Sequence, residues 1–107
     1  MPTSTVEDYL KCIYLESRRE PAELVSTGRI AAAMNVAPGT VTAMMKTLTE
    51  AGLVGYAPYA GVRLTDAGRR LATHVLRRHR LVELFLVRIM GMDWSEVHEQ
   101  AEVLEHE

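Results

Sequence analysis

The sequence predicts a mostly α-helical chain carrying one β-hairpin, and three observations lead to it. Apolar residues recur at helical spacing in five separate stretches. Two of these are short and separated only by the break Asn35-Val36-Ala37-Pro38-Gly39. Beyond them, Leu53-Val54-Gly55-Tyr56 and Val62-Arg63-Leu64-Thr65 flank turn residues at Ala57-Pro58-Tyr59-Ala60-Gly61. Short helix, tight turn, short helix and hairpin make a winged helix-turn-helix, followed here by a further helical segment.

The first helix spans about Thr5 to Arg19, with Val6, Tyr9, Leu10, Ile13 and Tyr14 as its apolar stripe. Thr5 and Asp8 have the form of a capping box at its start, and Pro21 marks its end. Ser26 caps a second helix, Thr27 to about Met34. Thr40 opens a third that buries Val41, Met44, Met45 and Leu48 and stops at Gly52. From Asp66 a long helix carries Leu71, Val75, Val82, Leu86 and Ile89 as far as Gly91. Ser95 caps a last helix with Val97, Ala101 and Leu104 inward. That helix meets no stop signal, so the natural protein is expected to continue past Glu107.

A chain of 107 residues suits one modest domain, or a small domain with part of another. The single Cys12 allows no internal disulfide, which suits a reducing compartment and a buried structural thiol. No apolar run approaches the roughly 20 residues that cross a bilayer. A cytoplasmic location is therefore expected. Net charge is only -2, but its distribution is uneven. From Arg29 to Arg88 nine basic residues face three acidic ones, whereas the two ends hold eleven acids and three bases. A basic middle suits a polyanion and acidic ends suit cations.

The last helix carries the chemistry. With Val97 at the centre of its apolar stripe, Glu105, His98, Glu102 and His106 fall at roughly 80°, 100°, 140° and 180° around the axis. On the long helix His79 and Glu83 stack four apart, close to the Val75-Val82-Leu86 stripe. Half-buried carboxylates repel one another and lose solvation unless a cation or protons neutralise them. Carboxylate and imidazole without thiolate suit Mn²⁺ or Fe²⁺, with Zn²⁺ and other divalent ions able to substitute.

These features fall in an order that resembles the diphtheria-toxin repressor and manganese-transport regulator family, over roughly the first two thirds of its length. The matching stretches are Glu7-Asp8-Tyr9-Leu10-Lys11-Cys12-Ile13-Tyr14, the Val41-Thr42 helix, Leu64-Thr65-Asp66-Ala67-Gly68, Arg78-His79-Arg80-Leu81-Val82-Glu83, and Val97-His98-Glu99 through Glu105-His106. The resemblance implies a DNA-binding domain over residues 1–73 and a helical metal-binding and dimerisation domain over 74–107, incomplete at its C-terminus. It implies a primary metal site from Asp8, Glu102, Glu105 and His106, and a second from His79, Glu83 and His98. Iron-responsive members carry sulfur where this sequence has Asp8 and Glu102, so the manganese-responsive branch is favoured. Lys11 stands where some members have a glutamate ligand, which argues against a close two-metal cluster. Ala43 replaces a polar recognition-helix side chain and leaves the operator sequence open.

The expected function is a metal-activated repressor of metal-homeostasis genes, with metal clamping the first helix to the last and favouring operator binding. Asp8 has the capping box as a competing role. DNA contacts are expected from Pro38, Gly39, Thr40, Thr42 and Lys46, with small Ala37 and Ala43 allowing close approach and Arg29 and Arg63 reaching the phosphate backbone. A homodimer on palindromic double-stranded DNA follows, its interface drawn from Phe85, Leu86, Ile89, Met90, Met92 and Trp94. Two alternatives compete: a winged-helix regulator with a non-metal effector, and a metal-dependent hydrolase on His79, Glu83, His98 and Glu102. The hydrolase lacks a nucleophile motif and an HExxH run.

Overall fold

A computed structural model of the chain describes residues 3–19, 24–91, 101–102 and 104–105, apart from the Met90 side chain. The elements are α1 (Ser4–Arg19), α2 (Thr27–Met34), α3 (Pro38–Glu50), β1 (Val54–Ala57), β2 (Gly61–Leu64) and α4 (Asp66–Met90). Ala101, Glu102, Leu104 and Glu105 are helical as well. The chain is mostly α-helical with a small two-stranded wing, as its periodicity predicts. It divides into two compact units, Met1–Thr73 and His74–Glu107.

Two helix starts differ from the sequence reading. The Thr3 hydroxyl accepts from Val6 N–H at 3.2 Å, so α1 is capped two residues earlier than the Thr5–Asp8 box would place it. The Thr5–Asp8 box therefore lies inside α1 rather than at its start. α3 begins at Pro38 rather than Thr40, because proline at the first helical position gives up only an N–H that has no helical acceptor. Ser26 caps α2 as expected, accepting from Arg29 N–H at 3.2 Å. Asn35 and Gly52 close α2 and α3 in left-handed conformations, and Val36 N–H→Ala31 and Leu53 N–H→Leu48 bonds satisfy orphan carbonyls.

In the first unit Leu10, Ile13, Ile30, Val41, Met45 and Leu48 are fully buried in one cluster that the wing covers. The wing pairs antiparallel from Val54↔Leu64 to Ala57↔Gly61. Val62 also forms a bridge with Val25, donating and accepting at 2.8 and 2.7 Å. Thr65 starts α4 and ties it to the wing: its hydroxyl donates to the Gly52 carbonyl at 2.7 Å and accepts from Gly68 N–H at 3.1 Å. Gly68 is then pressed so closely on β1 that a Cβ there would lie 2.0 Å from the Leu53 carbonyl oxygen.

Gly68→Ala should therefore destabilise the first unit by about 3 kcal/mol, since backbone must yield on one side or the other. Urea denaturation reads this directly. An unchanged midpoint would mean that the start of α4 moves freely over β1.

Candidate metal centre and nucleic-acid interface

Four of the expected ligands belong to the second unit and lie in the described residues. His79 is buried on α4, and Glu105 is buried with no side-chain exposure. His79 Nδ1 sits 2.5 Å from Glu105 Oε2, at hydrogen-bond distance, and 4.0 Å from Glu102 Oε1. On its other edge His79 Nε2 is 3.4 Å from Glu83 Oε1, one turn along the helix. The two edges of one imidazole thus face carboxylates from both expected ligand sets. An imidazole whose Nδ1–H is held by a carboxylate turns its Nε2 lone pair outward, the arrangement in which histidine binds cations.

Arg78 completes the cluster, its Nη2 donating to Glu105 Oε1 at 3.4 Å. No periodicity marks Arg78 as a partner of Glu105, because the pairing joins residues 27 apart and exists only when α4 packs against the segment at 101–105. Arg78 is half-buried and Glu105 fully buried, so losing the guanidinium takes charge stabilisation from the buried carboxylate. Apolar packing beside it comes from Leu86, Ala101, Val82 and Val87.

His98 and His106 lie outside the described residues, and among the described ones no group of three His, Cys, Asp or Glu side chains is arranged to hold a metal ion. The donors present nevertheless suit one in kind: carboxylate oxygen and imidazole nitrogen, buried together on His79 and Glu105. Asp8 belongs to the first unit, half-buried on α1 beside the buried Glu7. Cys12, one turn further along, is buried. Burial, reinforced by Glu16 and opposed by Arg29 and Lys11, pushes its thiol from 9.0 to about 11. It is a neutral core side chain at ordinary pH, as expected.

The DNA-facing expectations centre on α3. Val41, Met45 and Leu48 face the core, which turns Pro38, Gly39, Thr40, Ala43 and Lys46 to the exposed side. Thr42 is half-buried, its hydroxyl donating to the Pro38 carbonyl at 3.2 Å. Arg63 is exposed on β2. Arg29 is engaged inside the unit, its Nη2 donating to the Glu16 carbonyl at 2.7 Å and its Nε and Nη2 to the Glu16 carboxylate at 3.3 and 3.2 Å. Among the expected interface residues Phe85 and Ile89 are exposed, with Leu81 one turn before them also exposed and missed by the sequence reading. Leu86 instead packs in its own unit's core. Met92, Trp94 and the Met90 side chain fall outside the described residues.

Two family models match the chain in order. Residues 1–62 match the iron dependent repressor N-terminal DNA binding domain, and residues 65–107 match the iron dependent repressor metal binding and dimerisation domain. The chain belongs to the iron-dependent repressor family. The expected resemblance to diphtheria-toxin and manganese-transport regulators is borne out. This family consists of DNA-binding transcriptional repressors and not of enzymes, which removes the hydrolase alternative.

Similar proteins include the HTH-type transcriptional regulator MntR of Lysinibacillus sphaericus, 37% identical over 99% of this chain and 74% of its own. An uncharacterized HTH-type transcriptional regulator of Methanocaldococcus jannaschii is 38% identical over 97% of this chain and 82% of its own. A manganese-dependent transcriptional repressor solved with manganese is 44% identical, with a TM-score of 0.80 over 94% of this chain and 45% of that one. The chain therefore spans under half the length of that solved repressor. Zinc-bound ScaR also gives a TM-score of 0.80 at 43% identity, over 98% of this chain and 47% of its own.

Two outcomes are expected from these contacts. Arg78→Ala should destabilise the second unit by about 1.5 kcal/mol, the scale of one long hydrogen bond to a charged group, measured by denaturation in chelator. The thiol ionises in the unfolded chain before it does so in the folded one. Cys12's contribution to stability is thus intact below pH 9.0 and lost as pH rises toward about 11. Urea melts should show the stability difference between the parent and Cys12→Ala changing across that window and constant below it.

Proposed function

We propose that this chain is the DNA-binding and metal-sensing part of a transcriptional repressor activated by a divalent cation, with manganese favoured over iron. Residues 1–73 would bind DNA, and residues 74–107 would bind metal and dimerise. The observation that carries the reading is the cluster of buried His79 and Glu105 with half-buried Glu83, lying in the segment matched by the metal-binding and dimerisation model. The manganese-dependent and zinc-bound relatives support a divalent ion, and oxygen donors at Asp8 and Glu102 favour manganese.

The second site draws on His79, Glu83 and His98, and the primary site on Glu102, Glu105 and His106, with Asp8 added on the family resemblance. A bound cation supplies the positive charge that lets these carboxylates lie together without mutual repulsion. His79 orients Glu105 through Nδ1 and keeps Nε2 toward Glu83. Arg78 holds the other oxygen of Glu105 at the long distance of 3.4 Å, so that oxygen is the one available to change partner. Any effect on DNA binding is bounded by the difference in cation affinity between competent and incompetent states, typically about 1–3 kcal/mol.

DNA is read by the exposed face of α3: Pro38, Gly39 and Ala43 permit close approach, Thr40 and Thr42 offer hydroxyls, and Lys46 takes a phosphate. Arg63 adds a backbone contact from the wing, whereas any contact from Arg29 competes with Glu16. The exposed stripe Leu81, Phe85 and Ile89 suits an isologous homodimer interface, which matches a palindromic operator.

The test is fluorescence anisotropy with a palindromic duplex library, first in chelator and then with Mn²⁺, Fe²⁺ or Zn²⁺ added in turn. Affinity should rise about 5- to 150-fold with metal, most with Mn²⁺. Equal binding with and without every metal would leave a DNA-binding protein whose effector is something else.

A further inference from the structure

We infer that Tyr59, at the tip of the wing, is a direct contact to duplex DNA, held in a left-handed backbone conformation that presents its ring beside the recognition helix α3. The inference rests on the DNA-binding reading above.

The wing tip is a turn in which Ala60 N–H donates to the Ala57 carbonyl at 3.0 Å. Pro58 and Tyr59 are its two central residues. Proline suits the first of these positions, since its ring pre-sets φ. The second has φ 67°, the sign a type II turn requires and the reason glycine normally occupies it. Here it is tyrosine. A bulky side chain in this region is strained, and such strain clusters at sites that bind.

Packing does not compensate that strain, because the Tyr59 side chain is fully exposed. The tip cannot relax by sliding the hairpin, since a Cβ at neighbouring Gly61 would lie 2.4 Å from the Val25 carbonyl oxygen. The register that places Tyr59 is thus set from below.

Tyr59 also borders a groove of about 450 Å³ whose other lining residues are Thr27, Thr42, Lys46, Tyr56 and Pro58. That lining joins α3 to the wing. Its charged side chain is the cation Lys46, it includes no carboxylate, and hydroxyls supply further hydrogen-bond partners. This chemistry suits a phosphate backbone running along the groove, with the ring laid against the sugars. A protein partner would not need a lining of one cation and several hydroxyls.

The test compares the full chain with Tyr59→Gly, Tyr59→Phe and Lys46→Ala, in metal, on the tightest duplex selected from a random-sequence library by the parent. Tyr59→Gly should lose about tenfold in affinity, the scale of one well-packed contact (about 1.4 kcal/mol), with no fall in melting temperature. Tyr59→Phe should stay within about twofold, as a ring contact requires. Lys46→Ala should reduce the salt dependence of binding by about one phosphate's worth, and Tyr59→Gly should leave it unchanged. Unchanged affinity in Tyr59→Gly overturns the inference while the DNA-binding reading stands. Loss of affinity accompanied by a lower melting temperature overturns it too, because the residue would then be structural. A parent that selects no duplex overturns both.

Discussion

The wing and the helices form one body through Val62, and the rest of the first unit depends on that junction. Its backbone bonds Val25 in both directions, its side chain is fully buried, and in the hairpin it faces Tyr56. Three short helices alone bury too little apolar surface to be stable, since short isolated helices gain most of their stability from packing. The bridge closes the cluster of Leu10, Ile13, Ile30, Val41, Met45 and Leu48 from the open side. It also makes two close approaches unavoidable. Gly61 must pass the Val25 carbonyl, and Gly68 must pass that of Leu53. Only a residue without Cβ satisfies either.

That same closure aims the surface of α3. Because Val41, Met45 and Leu48 are held inward, the positions between them are turned to solvent. The Glu16–Arg29 contact ties α1 to α2 on the opposite edge through one carbonyl and one carboxylate. A guanidinium bonded to both is fixed within the first unit. The wing tip carries its strain outward, where packing does not compensate it.

The second unit answers a different problem, the burial of charge. Glu105 lies without side-chain exposure, and its two oxygens are met by different partners, an imidazole and a guanidinium. A buried carboxylate costs several kcal/mol unless it is paired and hydrogen-bonded. Breaking one contact is costly, but exchanging one cationic partner for another is far less so.

Periodicity and punctuation determined much of this protein. The spacing of Val41, Met45 and Leu48, the Ser26 cap, the Gly52 stop and the turn at Ala57–Gly61 are local, and local sterics and hydrogen bonds decide them. The shared faces of His79-Glu83 and of Glu102-Glu105 were legible for the same reason, since helix geometry alone aligns residues three and four apart. The cap at Thr3 and the start of α3 at Pro38 escaped because a helix end depends on a single bond, and several nearby residues offer one. What only the tertiary structure decided are pairings between distant residues: Arg78 with Glu105, Arg29 with Glu16, Val25 with Val62. Chain periodicity carries no record of them, because each arises when separate elements pack and a buried charge or backbone group takes the partner that packing brings.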